Sequence, residues 1–267
     1  MKKTLIALAV AASAVVSGSA MAAGWEQNGT GGSVSLGGSL TPVEKVTPWE
    51  VKTGAAVTGL DAQIQKGQKA VSIALTKAAP VLGIRNIAAD GFMGAANTII
   101  PQISYGTAVD VDGFSGGVTT LTLDAFNKAG DKLGTMVAPF SAAALNNWTI
   151  VDTGESGSLR VMASQAGSSF FGGLGKTDAT VPSSVDESYA LISSLDGDYV
   201  AKFDFGQTKE ERIEANEKYS DVRVKYRATY GAGIEQGKTI KLTLDTPAQG
   251  DAQIVWKASL PVTVSYQ

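Results

Sequence analysis

Short runs in which apolar and polar residues alternate recur along the whole chain and limit what it can fold into. Alternation with a period of two is typical of a β-strand that buries one face. Turns that carry Gly or Asp separate the runs, as expected between paired strands. The clearest runs are residues 70–75, 118–123, 159–163, 222–226, 239–244 and 260–266. This many short strands in a chain of 267 residues predicts a mainly β protein, a β-sandwich or a barrel.

One short helix is predicted to interrupt the β pattern. Ser184 stands three residues before Glu187, which is the spacing of a capping box at a helix N-terminus. Apolar residues then recur every three or four positions, at Val185, Tyr189, Ile192 and Leu195. This spacing places them on one face of a helix, which we expect to end near Gly197.

The segment KEERIEANEKY, residues 209–219, is highly charged and has Ile213 almost alone as an apolar anchor. Its composition predicts a solvated helix or a mobile loop. Both this segment and the predicted helix lie between strands. We therefore expect one β domain over residues 43–267 that carries an insertion around residues 171–219.

The chain contains no histidine and no cysteine, which excludes several classes of active site. Serine–histidine–aspartate and cysteine–histidine nucleophiles are impossible, as are zinc sites built from His and Cys. We therefore expect a protein that is not an enzyme and that needs no cofactor and no metal. A net charge of −3 gives no field that attracts phosphates, so nucleic acid is not an expected partner.

An exported hydrolase is a weaker alternative. Four carboxylates in the charged segment could in principle supply an acid/base pair: Glu210, Glu211, Glu214 and Glu217. Such chemistry requires a pocket that shifts the pKa of one carboxyl, whereas the pattern of this segment predicts exposed side chains.

The first 22 residues have the features of an export signal. Lys2 and Lys3 form a charged start, an apolar stretch covers residues 5–16, and Ala20-Met21-Ala22 supplies the small residues before a cleavage site. The apolar stretch is too short to span a bilayer as a helix. We expect export through the periplasm to the cell surface.

Residues 23–42 form a polar, Gly-rich extension with one alternating face. Gly32, Val34, Leu36, Gly38 and Leu40 fall on one side of an extended strand, with serines opposite. A disordered leader and an ordinary first strand both fit this pattern. A third interpretation is a strand that inserts into the sheet of another molecule, which the alternating apolar face would allow.

The last alternating run has a matching apolar face. Leu260, Val262, Val264 and Tyr266 lie on one side of an extended segment that follows Trp256. We expect this segment to be a strand that runs to the end of the chain.

Several segments together make the chain resemble the chaperone–usher fimbrial subunits of the FaeG-like (kappa-class) family. They are the export signal, residues 32–41 after Trp25, residues 49–54 (WEVKTG), residues 171–174 (FGGL), residues 230–240 (YGAGIEQGKTI) and residues 256–266. The resemblance covers essentially the whole chain. It implies an incomplete immunoglobulin-like β-sandwich that lacks its last strand, so that a groove exposes the core.

The resemblance also implies how such a subunit assembles. A periplasmic chaperone fills the groove first, and the N-terminal extension of the next subunit replaces it at an outer-membrane usher. In this sequence the donor residues would be Val34, Leu36, Gly38 and Leu40. The edge of the acceptor groove, which the chaperone contacts, would carry Val262, Val264 and Tyr266.

Some members of the family bind host glycans through an insertion between core strands, which gives a second functional hypothesis. In this chain the matching region, residues 171–198, is short, and this favours a minor subunit. Trp148 and Tyr189 are the aromatic candidates for stacking on a sugar ring. As a fimbrial subunit or as a glycan-binding adhesin, the protein is expected to contribute to bacterial adhesion to host cells.

Overall fold

The computed structural model of the chain describes residues 27–28, 36–41 and 46–267. The predicted export signal, Val34 and most of the 23–42 extension lie outside the described residues. The described residues 46–267 belong to one compact unit.

This compact unit is mainly β, as the alternating runs predict. Its strands within the described residues are β1 (Trp49–Thr53), β2 (Ala70–Ala74), β3 (Ala79–Asn86), β4 (Phe92–Met93), β5 (Pro101–Ser104), β6 (Val118–Phe126), β7 (Lys132–Ile150), β8 (Ser156–Met162), β9 (Thr208–Ala215), β10 (Val224–Ile234), β11 (Thr239–Leu244), β12 (Lys257–Ala258) and β13 (Thr263–Tyr266). Each of the six predicted runs overlaps one of these strands.

One long strand joins the two layers of this open, immunoglobulin-like sandwich. β7 is 19 residues long, and its first half lies between β6 and β11. Its second half lies between β10 and β8. The sheet then continues from β10 through β3 to β1, and from β11 to β2. β5 and β13 pair with each other in a separate two-stranded sheet.

The core lies between these strands and contains a group of contacting aromatic rings. The buried Trp49 ring lies edge-on to Phe92 at 5.0 Å and to Phe170 at 5.8 Å between ring centroids. Its indole Nε1 donates to the carbonyl oxygen of Ile99 at 2.6 Å. Deeper in the sandwich, the hydroxyls of Tyr105 and Tyr230 form a hydrogen bond of 2.8 Å. These contacts satisfy the polar ends of aromatic side chains that are otherwise buried.

The predicted helix is confirmed as α1 (Val185–Leu195). The Ser184 side chain accepts a hydrogen bond from the backbone N–H of Glu187 at 3.1 Å, which caps the first turn. The buried face of α1 lies on β7 and β10. Gly231 permits this close approach, because a Cβ there would come within 2.7 Å of the Ile192 side chain. Within the described residues, no helix is long and apolar enough to cross a membrane.

The expectation that residues 209–219 form a solvated helix or a mobile loop is wrong. Most of this segment is β9, which pairs in parallel with β8. Ile213 lies opposite Arg160 of β8, and Glu210 accepts a hydrogen bond of 2.7 Å from the indole N–H of Trp148. The charged side chains of this segment can be part of a strand because β9 lies at the edge of the sheet, where charged side chains are common.

Candidate functional site

A large groove with an apolar floor opens along one side of the sandwich. Its volume is about 1090 Å³. The floor consists of core side chains from β2, β6, β7 and β11: Ile73, Leu121, Leu123, Met136, Ile240, Leu242 and Leu244. Two chain segments, residues 53–66 and residues 248–262, line its sides.

The first wall of the groove, residues 53–66, begins at the last residue of β1, and its remaining residues lie between β1 and β2 and belong to no strand. Leu60 and Ile64 are half-buried along it and pack against the core. The far end of the wall is tied to the opposite side. There the backbone N–H of Gly67 donates to the carbonyl oxygen of Ala248 at 2.8 Å, and Lys66 forms an ion pair with Asp251. The groove is therefore bridged at this end.

The second wall is a continuous extended segment with an inward and an outward face. Half-buried and exposed residues alternate strictly from residue 254 to residue 267, and the half-buried set is Ile254, Trp256, Ala258, Leu260, Val262, Val264 and Tyr266. β12 pairs with β6 and β13 pairs with β5, which holds this segment at the edge of the sandwich. Alternation along the whole segment keeps one apolar face turned toward the core.

The three predicted acceptor-edge residues all lie on the half-buried face of this wall. Val262 lines the groove itself. Val264 and Tyr266 belong to β13, where they lie opposite Ile103 and Pro101 of β5. Burial raises the pKa of the Tyr266 hydroxyl. Val264 and Tyr266 therefore continue the apolar stripe of the wall beyond the end of the groove.

The predicted donor residues that the structure describes are exposed. Leu36 is 93% exposed and Leu40 is 98% exposed. Gly38 lies between them, and a Cβ placed on it would meet no atom within 4 Å. Val34 lies outside the described residues. Two fully exposed leucines on alternating positions form a small apolar surface that a groove could bury.

The two aromatic candidates for sugar binding belong to different clusters. Trp148 is half-buried and packs against the main core, with its indole N–H bonded to Glu210. Tyr189, on α1, lies 4.8 Å from the ring of Phe205 and 6.3 Å from that of Phe203. The structure therefore does not bring Trp148 and Tyr189 into one platform.

Sequence reasoning missed the partners of Tyr189. Phe203 and Phe205 are 5.5 Å apart, and both are half-buried. The ammonium of Lys209 lies 4.2 Å above the Phe205 ring and forms an ion pair of 2.5 Å with Asp186. The sequence did contain a signal for this aromatic cluster. Two phenylalanines stand at alternating positions, 203 and 205, shortly after the helix.

Three of the four candidate carboxylates, Glu210, Glu214 and Glu217, are half-buried and so less exposed than the sequence predicts. Burial is the main cause that raises the pKa of Glu214 and of Glu217. Glu217 accepts hydrogen bonds from the Asn146 side chain at 3.0 Å and from the backbone N–H of Lys218 at 2.8 Å. In the described part of the chain, no three acidic residues lie together as they would to hold a metal ion.

Comparison with known proteins gives consistent matches over the full chain. A family model described as "Fimbrial, major and minor subunit" matches residues 1–267. The chain is 30% identical to the F41 fimbrial protein of Escherichia coli over 285 residues, covering 100% of both chains. It is 29% identical to the K88 fimbrial protein AB of Escherichia coli over 292 residues, again covering 100% of both.

Proposed function

Because the chain belongs to the family of major and minor fimbrial subunits, we propose that it polymerises by donor-strand exchange. In this proposal the N-terminal extension of one subunit inserts into the groove of the next. The protein is a structural subunit of a cell-surface fimbrium and carries out no catalysis. We also propose that it acts as a minor subunit and that it contributes to adhesion to host cells.

The observation that carries the proposal is the groove with an apolar floor that lies between two chain segments. A strand with alternating apolar side chains could bond to wall backbones and place those side chains on the floor, which is β-strand addition. Each fully buried Val or Leu would contribute about 1.5–3 kcal/mol. The exposed residues Leu36 and Leu40 supply two such side chains, and Val34 supplies a third. Gly38 would pass where the floor leaves little room.

A periplasmic chaperone is the expected first occupant of the groove. A groove with an apolar lining that stayed empty would otherwise promote aggregation during export. The alternating stripe that includes Val262, Val264 and Tyr266 offers a long edge to which such a chaperone could pair. At the outer membrane an usher would then allow the extension of the incoming subunit to replace the chaperone.

The first test uses two matched substitutions in the extension. We expect Leu36→Asp to abolish polymerisation and to leave the chaperone-bound monomer intact, because a carboxylate cannot enter an apolar groove. Ser39→Asp is the control, since Ser39 lies on the opposite face of the same strand. Polymer length is read by electron microscopy and by gel filtration. Normal polymers from Leu36→Asp would refute the proposal.

The second test asks whether the extension completes the fold. Thermal unfolding is compared for the mature chain, a chain without residues 23–42, and that deletion with the same segment attached after Gln267 through a short linker. We expect the deletion to aggregate and the reattached version to be a highly stable monomer. If the deletion is as stable as the mature chain and reattachment adds nothing, the fold is already complete without a donor.

A second candidate function is binding of host glycans through the insertion. The observation that favours it is the half-buried aromatic cluster of Tyr189, Phe203 and Phe205, because aromatic rings stack on sugar rings. We expect saturable binding to glycoconjugates that weakens when residues 176–196 are replaced. A folded subunit that binds nothing on a broad glycan array would remove this candidate.

A further inference from the structure

The C-terminal end of α1 is joined to the strand that leads into the first wall of the groove. Lys52 is the fourth residue of β1, and the first wall begins at the next residue, Thr53. The ammonium of Lys52 donates to Asp196 at 2.6 Å and to Asp198 at 3.0 Å. Asp196 is the C-cap of α1, and its backbone N–H donates to the carbonyl oxygen of Ile192 at 3.2 Å. One lysine therefore connects the residue that closes the helix to the chain that enters the groove.

The same end of α1 also packs on strands that border the groove. Leu195, the last residue of α1, is buried, and a Cβ on Gly233 of β10 would come within 3.2 Å of its side chain. Gly233 lies opposite Pro80 of β3, which lines the groove. Gly54 of the first wall lies against the same proline, because a Cβ there would come within 1.8 Å of the Pro80 carbonyl oxygen. Pro80 therefore separates the first wall from the strand on which the helix end rests.

Neighbouring residues at the start of β3 contact the two sites in turn. Ala78 packs against the cluster of the insertion that contains Leu195. Ala79 is buried in the main core and lines the groove. The register of β3 and β10 shifts just beyond, so Val81 has no opposite residue in β10, and its carbonyl oxygen accepts a hydrogen bond of 2.9 Å from the N–H of Gly54. The stretch of β3 that contacts both sites is thus an irregular part of the sheet, where a strand bends.

We propose that filling the groove stabilises the insertion, so that α1 opens less often once a donor strand has docked. The first wall beyond Thr53 belongs to no strand, so a docked donor would supply it with a pairing partner. Lys52 and Leu195 transmit this restraint to the end of the helix. Two sites coupled in this way stabilise each other, because a coupling free energy is reciprocal. The inference rests on the proposed donor-strand exchange and adds to it a response in a different part of the fold.

The experiment measures hydrogen exchange by mass spectrometry over residues 185–198, with the groove empty and with the groove filled. The receiver is the full chain with Leu36→Asp, which cannot donate its own extension. The probe is a synthetic peptide of residues 23–42 with the natural sequence, and its binding is followed separately by fluorescence anisotropy. If the receiver does not stay monomeric, wild-type polymers and the subunits released from them in dilute urea give the same comparison without a substitution in the extension.

Two pairs of substitutions in the receiver separate this coupling from a general gain in stability. Lys52→Met removes the ion pairs to the helix end. Lys132→Met is its control, because Lys132 is similarly exposed and pairs with Asp124 of β6. Leu195→Ala removes the contact with β10, and Leu191→Ala, its control, shortens another leucine of the same helix cluster. Melting temperatures are measured in parallel.

We expect the peptide to slow exchange over residues 185–198 by about fivefold or more, which is the lower end of the coupling usual between two sites. The slowing should be smaller in Lys52→Met and in Leu195→Ala than in their controls. The inference is overturned if the peptide binds and exchange over these residues does not change, or if the slowing in each variant equals that in its control. A peptide that does not bind at all would refute donor-strand exchange itself, and this inference with it.

Discussion

Leu260→Ala provides a direct measure of what the groove contributes to assembly. Leu260 is half-buried on the inward face of the second wall, so part of its apolar surface remains available to a docking strand. Full burial of a leucine stabilises by about 1.5–3 kcal/mol, and roughly half of this would be gained when the donor strand docks. In Leu260→Ala this part of the binding free energy is lost, and a small cavity remains between the wall and the donor strand. We expect the donor to bind more weakly by about 1–2 kcal/mol, which is a factor of about 5–30.

The assay is the rate at which purified polymers dissociate in a fixed concentration of urea, followed by gel filtration. Leu260→Ala polymers should dissociate about 5–30 times faster than wild type, because most changes in affinity appear in the dissociation rate. Ser259→Ala is the matched control, since Ser259 is the neighbouring residue on the exposed face of the same wall. If the two variants dissociate at the same rate, Leu260 does not contact the donor and the groove is not its binding site.

Three further predictions concern the fold and its response to pH. Arg160→Ala should lower the free energy of unfolding by about 3–5 kcal/mol in urea titrations. Arg160 is 5% exposed, and it donates to the carbonyl oxygens of Pro182 at 2.8 Å and Glu211 at 3.0 Å; a loss below about 1 kcal/mol would contradict this. Burial holds the pKa of Glu217 above its ordinary value, so its contribution to stability is present at low pH and is lost as the pH rises through the folded-state pKa. Glu217→Gln should therefore flatten the fall in unfolding free energy as the pH rises above 4.5, and an unchanged pH profile would count against a raised pKa. Gly172→Ala should cost about 3 kcal/mol or more, because φ is +83° and a Cβ would lie 2.1 Å from a backbone carbonyl oxygen. At Gly154, where φ is +74° and no atom lies within 4 Å, alanine should cost only about 1–2 kcal/mol, and equal losses at both glycines would refute the steric explanation.

Local periodicity explains why much of the fold could be predicted from sequence. β6 alternates almost perfectly, with Leu121, Leu123 and Ala125 buried and the residues between them exposed. The period of two depends only on which face of a strand meets the core, so it is visible in the sequence. The same holds for α1, whose cap at Ser184 and spacing of three to four residues are local properties.

β9 and β7 show where local patterns fail. The charges of β9 favour a solvated segment, yet pairing with β8 and the bond from Trp148 to Glu210 make it a strand. β7 is buried on both faces in its middle, so its residues do not alternate and its length was not apparent. In both cases contacts with residues distant in sequence outweigh local propensity.

The candidate sites, like the strands, could be predicted from sequence only where they depend on local patterns. The sequence by itself determined that an apolar face includes Leu36 and Leu40 and that the second wall carries one apolar stripe, because alternation is a property of neighbouring residues. Only the tertiary structure decided that residues 53–66 form the opposite wall and that a groove of about 1090 Å³ lies between the two. It also decided that Tyr189 meets Phe205, and that Lys52 and Asp196, far apart in sequence, form an ion pair. A groove or a pocket is the space left between elements, and that space depends on how the elements pack.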